Sequence, residues 1–247
     1  MAEQPRLYVI LGSHACRTGI LLVEHKGIDY KQVRLPTGLH PLAVRVLGFS
    51  PNRRPLRTID GRRTPMLAGA DRMGTVPALR VDGTRVKTNH AIARYLDERQ
   101  PDPPLFPADP AKRAAVEEAE RWGDEELQMV ARRIALACVD VSKAGDGRLG
   151  PLLFHHTTVR RAGVELFRRV FDADGEAERS LRARLPSMLD RIDAWVADGT
   201  LNGEQLYAAD YAIAPSLALL WYVRDLQPEL SSRPLLALID RVLPSPR

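Results

Sequence analysis

At 247 residues the chain can form one large domain or two small ones with real cores, and 45% hydrophobic with 27% charged residues is a globular composition, with no apolar run long enough for a membrane span. The net charge of +5 comes almost wholly from arginine, interspersed with Asp and Glu as on solvated, salt-bridged helix faces, so neither a nucleic-acid nor a membrane partner is expected. Two distant cysteines, Cys16 and Cys138, exclude a disulfide framework and a cysteine-rich metal site, and no metal is expected.

The N-terminal "MAEQPR" lacks a basic-then-apolar secretion signal, which places the expected location in the cytoplasm. Residues 6 to 11, "RLYVIL", read as a short buried strand. "ACRTGILLVEHKG" follows as a helix, with Ser13 placed to cap its start and Gly27 to end it. "IDYKQVRL" alternates like a second strand, and "PLAVRVLGF" forms a short helix. In "TVPALRVDGTRVKTNHAIARYL" we read a strand over Ala78–Val81, an Asp82-Gly83 turn and a strand over Arg85–Lys87. A helix capped by Asn89 and ending near Glu98 follows. Strand, helix, strand, helix, strand, strand, helix is a thioredoxin-like α/β order, a mixed sheet with helices on both faces.

The proline-rich "RQPDPPLFPADP" cannot continue a helix and reads as a linker over residues 100 to 109. Asp109-Pro110 opens a long helix, a capping residue followed by proline at the first helical position. Apolar residues then recur at helical spacing over 110–139, 151–172, 176–197, 208–226 and 232–242. Pro186 and Pro215 are expected to bend or interrupt their helices. The division is residues 1–99 as an α/β domain, with 50–73 as an insertion, and 110–247 as an all-helical domain.

Three stretches carry a resemblance to the glutathione S-transferase superfamily. "GTVPALRVDGTRVKTNHAIARYL" resembles the family's G-x-VP-x-L segment running through D/N-G to AI-x-x-YL. "LYVILGSHACRTGILLVEHKGIDY" resembles its first strand and helix, and "LNGEQLYAADYAIAPSL" its helical-domain AD motif. The resemblance implies the family fold and homodimer. It also implies an enzyme of the serine type that adds a bound thiolate, from glutathione or an analogous low-molecular-weight thiol, to a small electrophile.

Residue by residue, the resemblance makes Ser13 the catalytic hydroxyl at the end of the first strand, donating to a thiol sulfur, with the helix N-terminus assisting. Serine there is also a preferred helix cap. Val76 would pair its backbone with the cysteinyl part of glutathione beside a cis Pro77. Thr88 and Asn89 stand where the family has an acidic or amide residue followed by serine, and would hold the γ-glutamyl carboxylate at a helix start. Both depart from that pattern, which leaves the identity of the thiol open. Cys16 reads as a buried small hydrophobe or, if exposed, as a second catalytic candidate: a thiol-exchange nucleophile. His14 is a candidate substrate contact, or a solvent-facing neighbour of the cap.

Tyr8 and Cys138 read as packing residues. Asp210 matches the family's buried aspartate and is structural, its usual Ser/Thr partner replaced by Tyr207. Trp122, Glu125 and Glu126 sit on the long helix that faces the cleft in the family, with Trp122 taken as substrate-binding. Arg132 and Arg133 could reach an anionic substrate or simply be solvated. The insertion at 50 to 73, with Arg53, Arg54, Arg57, Arg62 and Arg63, reads as a surface excursion or a lid. Two alternatives to a transferase stay open: a non-catalytic binding or regulatory module, and a thiol-disulfide oxidoreductase using Cys16.

Overall fold

The computed structural model describes residues 3–51, 73–138, 148–149 and 158–244, with only the backbone of 158–163. The expected insertion, with its five arginines, lies outside the described residues apart from its flanks. Strands β1 (Arg6–Val9), β2 (Lys31–Arg34), β3 (Ala78–Val81) and β4 (Thr84–Lys87) form one sheet in the order β2-β1-β3-β4. β1 runs parallel to β2 and antiparallel to β3, with Leu7 opposite Leu79 and Tyr8 opposite Ala78. The thioredoxin-like expectation holds.

Strand alternation sorts the two faces. Tyr8 and Ala78 turn to one side and join Val44, from helix α2 (His40–Val46), and Phe49, whose ring meets Tyr8 edge-on at 5.7 Å. Leu7, Val9, Leu79 and Val81 turn to the other. There they meet helices α1 (His14–His25) and α3 (Asn89–Arg99) and merge with the core of the helical half. One correction falls here. The cap of α3 is Thr88, whose Oγ1 accepts from Ala91 N at 3.3 Å, while Asn89 is already the first helical residue.

The helical half comprises α4 (Pro110–Trp122), a π turn (Gly123–Leu127), α5 (Gln128–Ala137), α6 (Thr158–Phe171), α7 (Gly175–Ala197), α8 (Ala208–Trp221), a 3-10 turn (Arg224–Leu226), α9 (Gln227–Ser231) and α10 (Leu235–Val242). α8 is apolar all round and buried from Ala208 to Leu220, so it forms the central post against which α1, α4, α5 and α10 pack. The expected interruptions at Pro186 and Pro215 do not occur: α7 and α8 run through both. Burial of Leu181, Leu185, Leu189 and Ile192 along α7, and of all of α8 around Pro215, outweighs one missing N–H in each.

Two buried devices fix the joint between the halves. Lys26, 1% exposed, donates to Asp97 Oδ1 (3.0 Å), Gln100 O (2.7 Å) and Pro103 O (2.5 Å), so its charge is fully hydrogen-bonded. His25 bridges Pro104 O and the Tyr211 hydroxyl at 3.0 and 2.9 Å. Among the described residues no helix is long and apolar enough to cross a membrane.

Candidate active site

A cleft of about 260 Å³ opens where the β1–α1 turn meets the Val76–Pro77 segment, the start of α3 and the inner faces of α5 and α6. Ser13, His14, Val76, Pro77, Thr88 and Asn89 all line it. Six of the eight site residues expected from the sequence therefore meet in one place.

Ser13 caps α1: its Oγ accepts from Cys16 N at 3.2 Å. A hydroxyl has two lone pairs and one proton, so the cap leaves the proton to donate elsewhere. Capping and thiol activation, weighed as rivals from sequence, are compatible in one residue. Facing it, the Val76–Pro77 bond is cis, and the peptide groups of Val76 have no hydrogen-bond partner among the described residues. α1 reaches this segment because Gly19 has no side chain; a Cβ there would lie 2.7 Å from Pro77 Cβ and Cγ.

Thr88 adopts φ +73°, donates its N–H to Pro77 O (3.3 Å) and caps α3 with its hydroxyl. Asn89 is almost wholly buried, and its Nδ2 donates to Ala15 O (3.1 Å) and Asp124 Oδ1 (3.2 Å). Both amide protons are thus committed, and the Asn89 side chain has no donor left for a ligand carboxylate. It acts as a tie between α1, α3 and the π turn.

His14 corrects the solvent-facing alternative. It is 3% exposed, and its Nε2 lies 3.1 Å from Gln128 O, an acceptor that requires a proton on that nitrogen. Burial, then the nearby Arg132 charge, pulls its pKa down to about 3 despite that hydrogen bond, so the ring is neutral.

Cys16 does not open onto the cleft. It is 1% exposed, accepts from Ile10 N at 3.5 Å, and burial pushes its thiol pKa up, the opposite of what a nucleophile needs. Of its two readings, the buried small hydrophobe fits this placement; the thiol-exchange reading required an exposed Cys16. Trp122 is also displaced from its expected place: it packs edge-on against Trp195 (5.3 Å between rings) beneath Arg191, away from the cleft. Arg133 is buried and donates to Asp172 O, so the solvated alternative fails for it.

Sequence reasoning singled out Arg132 but missed Asp124, Gln128 and Leu136, which with it form a stripe spaced by four along the π turn and α5 and lining the cleft. The π turn lodges against α8 where Gly123 leaves no room for a Cβ, which would meet Ile213 Cγ1 at 2.8 Å. Asp124 Oδ1 accepts from Asn89 Nδ2 and from Gln128 Nε2 (3.0 Å). Burial pushes its pKa up to about 6, with Glu120 adding to the rise and the two amides opposing it. A glycine and an acidic run in mid-helix was the available signal, since π turns gather at functional sites.

The outer end of the cleft is apolar, formed by Leu136, Phe167, Val170 and Phe171. The Arg132 guanidinium lies over the Phe171 ring at 4.9 Å and bonds Gln128 Oε1 at 3.1 Å. Burial and then Arg132 hold His40, another lining residue, down to about 4. The cleft thus joins a polar end built on Ser13, Val76 and Thr88 to a greasy end that holds the Arg132 guanidinium. Among the described residues no group of three or more His, Cys, Asp or Glu is placed to hold a metal.

Residues 7–104 match the family model of the glutathione S-transferase N-terminal domain. A probable maleylacetoacetate isomerase of Drosophila melanogaster is 39% identical over 64 residues, 26% of each chain. Glutathione S-transferase Z1 of Arabidopsis thaliana is 60% identical over 43 residues, 17% of this chain and 19% of that one. The aligned stretches span about a quarter or less of those relatives' length. A solved maleylacetoacetate isomerase from Anaeromyxobacter dehalogenans, with glutathione bound in its active site, shares the fold. Its TM-score is 0.54 at 21% identity, covering 97% of this chain and 89% of that one.

Proposed function

Because the chain belongs to the glutathione S-transferase superfamily, we propose that it is a glutathione-dependent enzyme of the transferase or isomerase type. The observation that carries the reading is the Ser13 hydroxyl at the N-terminus of α1, in the same cleft as the Val76 peptide edge, which has no hydrogen-bond partner among the described residues.

In this reading the glutathione cysteinyl backbone pairs with Val76, and its γ-glutamyl carboxylate sits at the α3 start beside Thr88. The γ-glutamyl ammonium meets the Asp124 carboxylate. Ser13 donates a hydrogen bond to the sulfur, which favours thiolate over thiol, and the α1 N-terminus adds its partial positive charge. A charge-assisted hydrogen bond contributes about 1.5–3 kcal/mol, enough to lower the thiol pKa by about 1–2 units without a general base. The thiolate then attacks an electrophile lying against Phe167 and Phe171, whose own negative group meets Arg132. Addition followed by loss of a leaving group gives transfer; addition, bond rotation and release of the thiolate gives isomerisation. Residues 1–99 form the thiol-binding domain, 100–109 the linker and 110–247 the electrophile-binding domain of a cytoplasmic homodimer.

The test is steady-state kinetics of the full chain with glutathione and chlorodinitrobenzene, and with a cis-enedione carboxylate for isomerisation. Ser13→Ala is expected to lower kcat/KM about 10- to 150-fold with circular dichroism unchanged. Equal activity in Ser13→Ala and the parent protein contradicts the reading.

A further inference from the structure

Behind the β1–α1 turn lies a second cavity, of about 310 Å³, that the proposed reaction does not use. Ile10, Leu11, Gly12 and Ser13 line both cavities, so the turn is the wall between them. Its other side is cationic: Arg17 from α1, Arg34 from β2 and Arg148 from the helical half all line it, and among the described residues no Asp or Glu does.

Two of these guanidiniums, those of Arg17 and Arg34, are incompletely satisfied. The Arg17 Nε is buried without a hydrogen-bond partner, and its ion pair with Glu24 spans 4.0 Å. Arg34 has no side-chain partner among the described residues. Arg148 is held in place by Asp240 at 2.6 Å, with its side chain 9% exposed. Three like charges around one cavity repel one another, and a multivalent anion between them turns that repulsion into attraction. Guanidinium forks match tetrahedral oxyanions by paired N–H···O bonds, and Gln32 on the rim adds an amide.

We propose that this cavity is a binding site for a phosphate group, free or as a small phosphate monoester, separate from the thiol cleft. Arg17 and Arg34 supply the uncommitted donors, and Arg148 is the rigid third wall. The volume accommodates more than the bare ion and lies at the lower end of small-molecule sites.

Isothermal titration calorimetry of the full chain tests this, with inorganic phosphate in one arm and glycerol phosphate in the other, ionic strength being held with chloride. One saturable site per chain is expected. Arg17→Gln and Arg34→Gln are each expected to weaken it by at least about tenfold, whereas Arg132→Gln, in the thiol cleft, leaves it unchanged. Tighter binding of glycerol phosphate identifies an ester as the ligand; equal or weaker binding identifies the free ion. The proposal is overturned by the lack of saturable heat up to about 10 mM of either probe. It is equally overturned by an affinity indifferent to Arg17 and Arg34, or by one lost in Arg132→Gln.

Discussion

Two carboxylates, the half-buried Asp124 and the enclosed Asp210, are each pushed up to about 6, in both cases chiefly by desolvation, yet they sit in opposite settings. Asp210 is wholly enclosed and accepts two backbone N–H groups, from Asn202 and Tyr207, each at 2.7 Å. Asp124 accepts from two side-chain amides and faces the cleft. Backbone donors cannot move away when a carboxylate is lost, so Asp210 carries structure. The Gln128 amide can swing away, so Asp124 is placed to exchange that partner for a ligand while Asn89 holds it in place. A shifted pKa alone does not tell a site from a cap; the identity of the donors does.

The largest expected effect follows from Asp210. Asp210→Ala leaves two enclosed backbone N–H groups without an acceptor and is expected to cost about 2–4 kcal/mol in urea unfolding. A loss below about 1 kcal/mol would erase the contrast between the two carboxylates.

Asp124 carries a pH signature. Its folded pKa lies above the ordinary 3.8, so the folded state holds a proton that the unfolded chain releases. Its contribution is therefore most favourable below about pH 4 and is lost as pH rises to about 6. Relative to Asp124→Asn, the parent protein is expected to lose up to about 2–3 kcal/mol across that window. Denaturant midpoints at pH 4, 5, 6 and 7 measure this, and parallel curves for the two proteins would refute it. At pH 7 the same variant is expected to raise the glutathione KM about tenfold, whereas Asp210→Asn leaves it unchanged in whatever fraction remains folded.

Gly19→Ala separates geometry from charge. Its new methyl meets Pro77 at 2.7 Å and is expected to cost about 1–3 kcal/mol while weakening glutathione binding. Unchanged stability would mean that the Val76–Pro77 segment yields freely. Smallest in scope is Arg132→Gln, expected to lower kcat/KM about tenfold or more for a carboxylate-bearing electrophile and little for a neutral one. Equal losses for both would remove Arg132 from the choice of substrate.

Much of the fold was legible because strands, turns and caps are written locally: the alternation at 78–81, Asp82-Gly83, Ser13 before its helix, Asp109-Pro110. The polar end of the cleft was legible for the same reason. Its other half was not. Trp122, Glu125 and Glu126 take the cleft face only if the long helix keeps one period, and the π turn breaks that period, so the cleft receives Asp124 and Gln128 instead, beside the Arg132 that the sequence did offer. His14 and Asn89 are tied by partners 114 and 35 residues away, which no local pattern encodes. Asn89 was read as a cap because asparagine is a good one; Thr88 took the position, and the amide was used for the long-range tie.

The central claim is that the Ser13 proton stabilises a bound thiolate. Thiolate absorbance near 240 nm, followed against pH for glutathione bound to the full chain and to Ser13→Ala, reads this directly. The account predicts a bound thiol titrating at least about one unit below the free one, and a return of about 1–2 units on losing the hydroxyl. Superimposable titrations for the two proteins would contradict it.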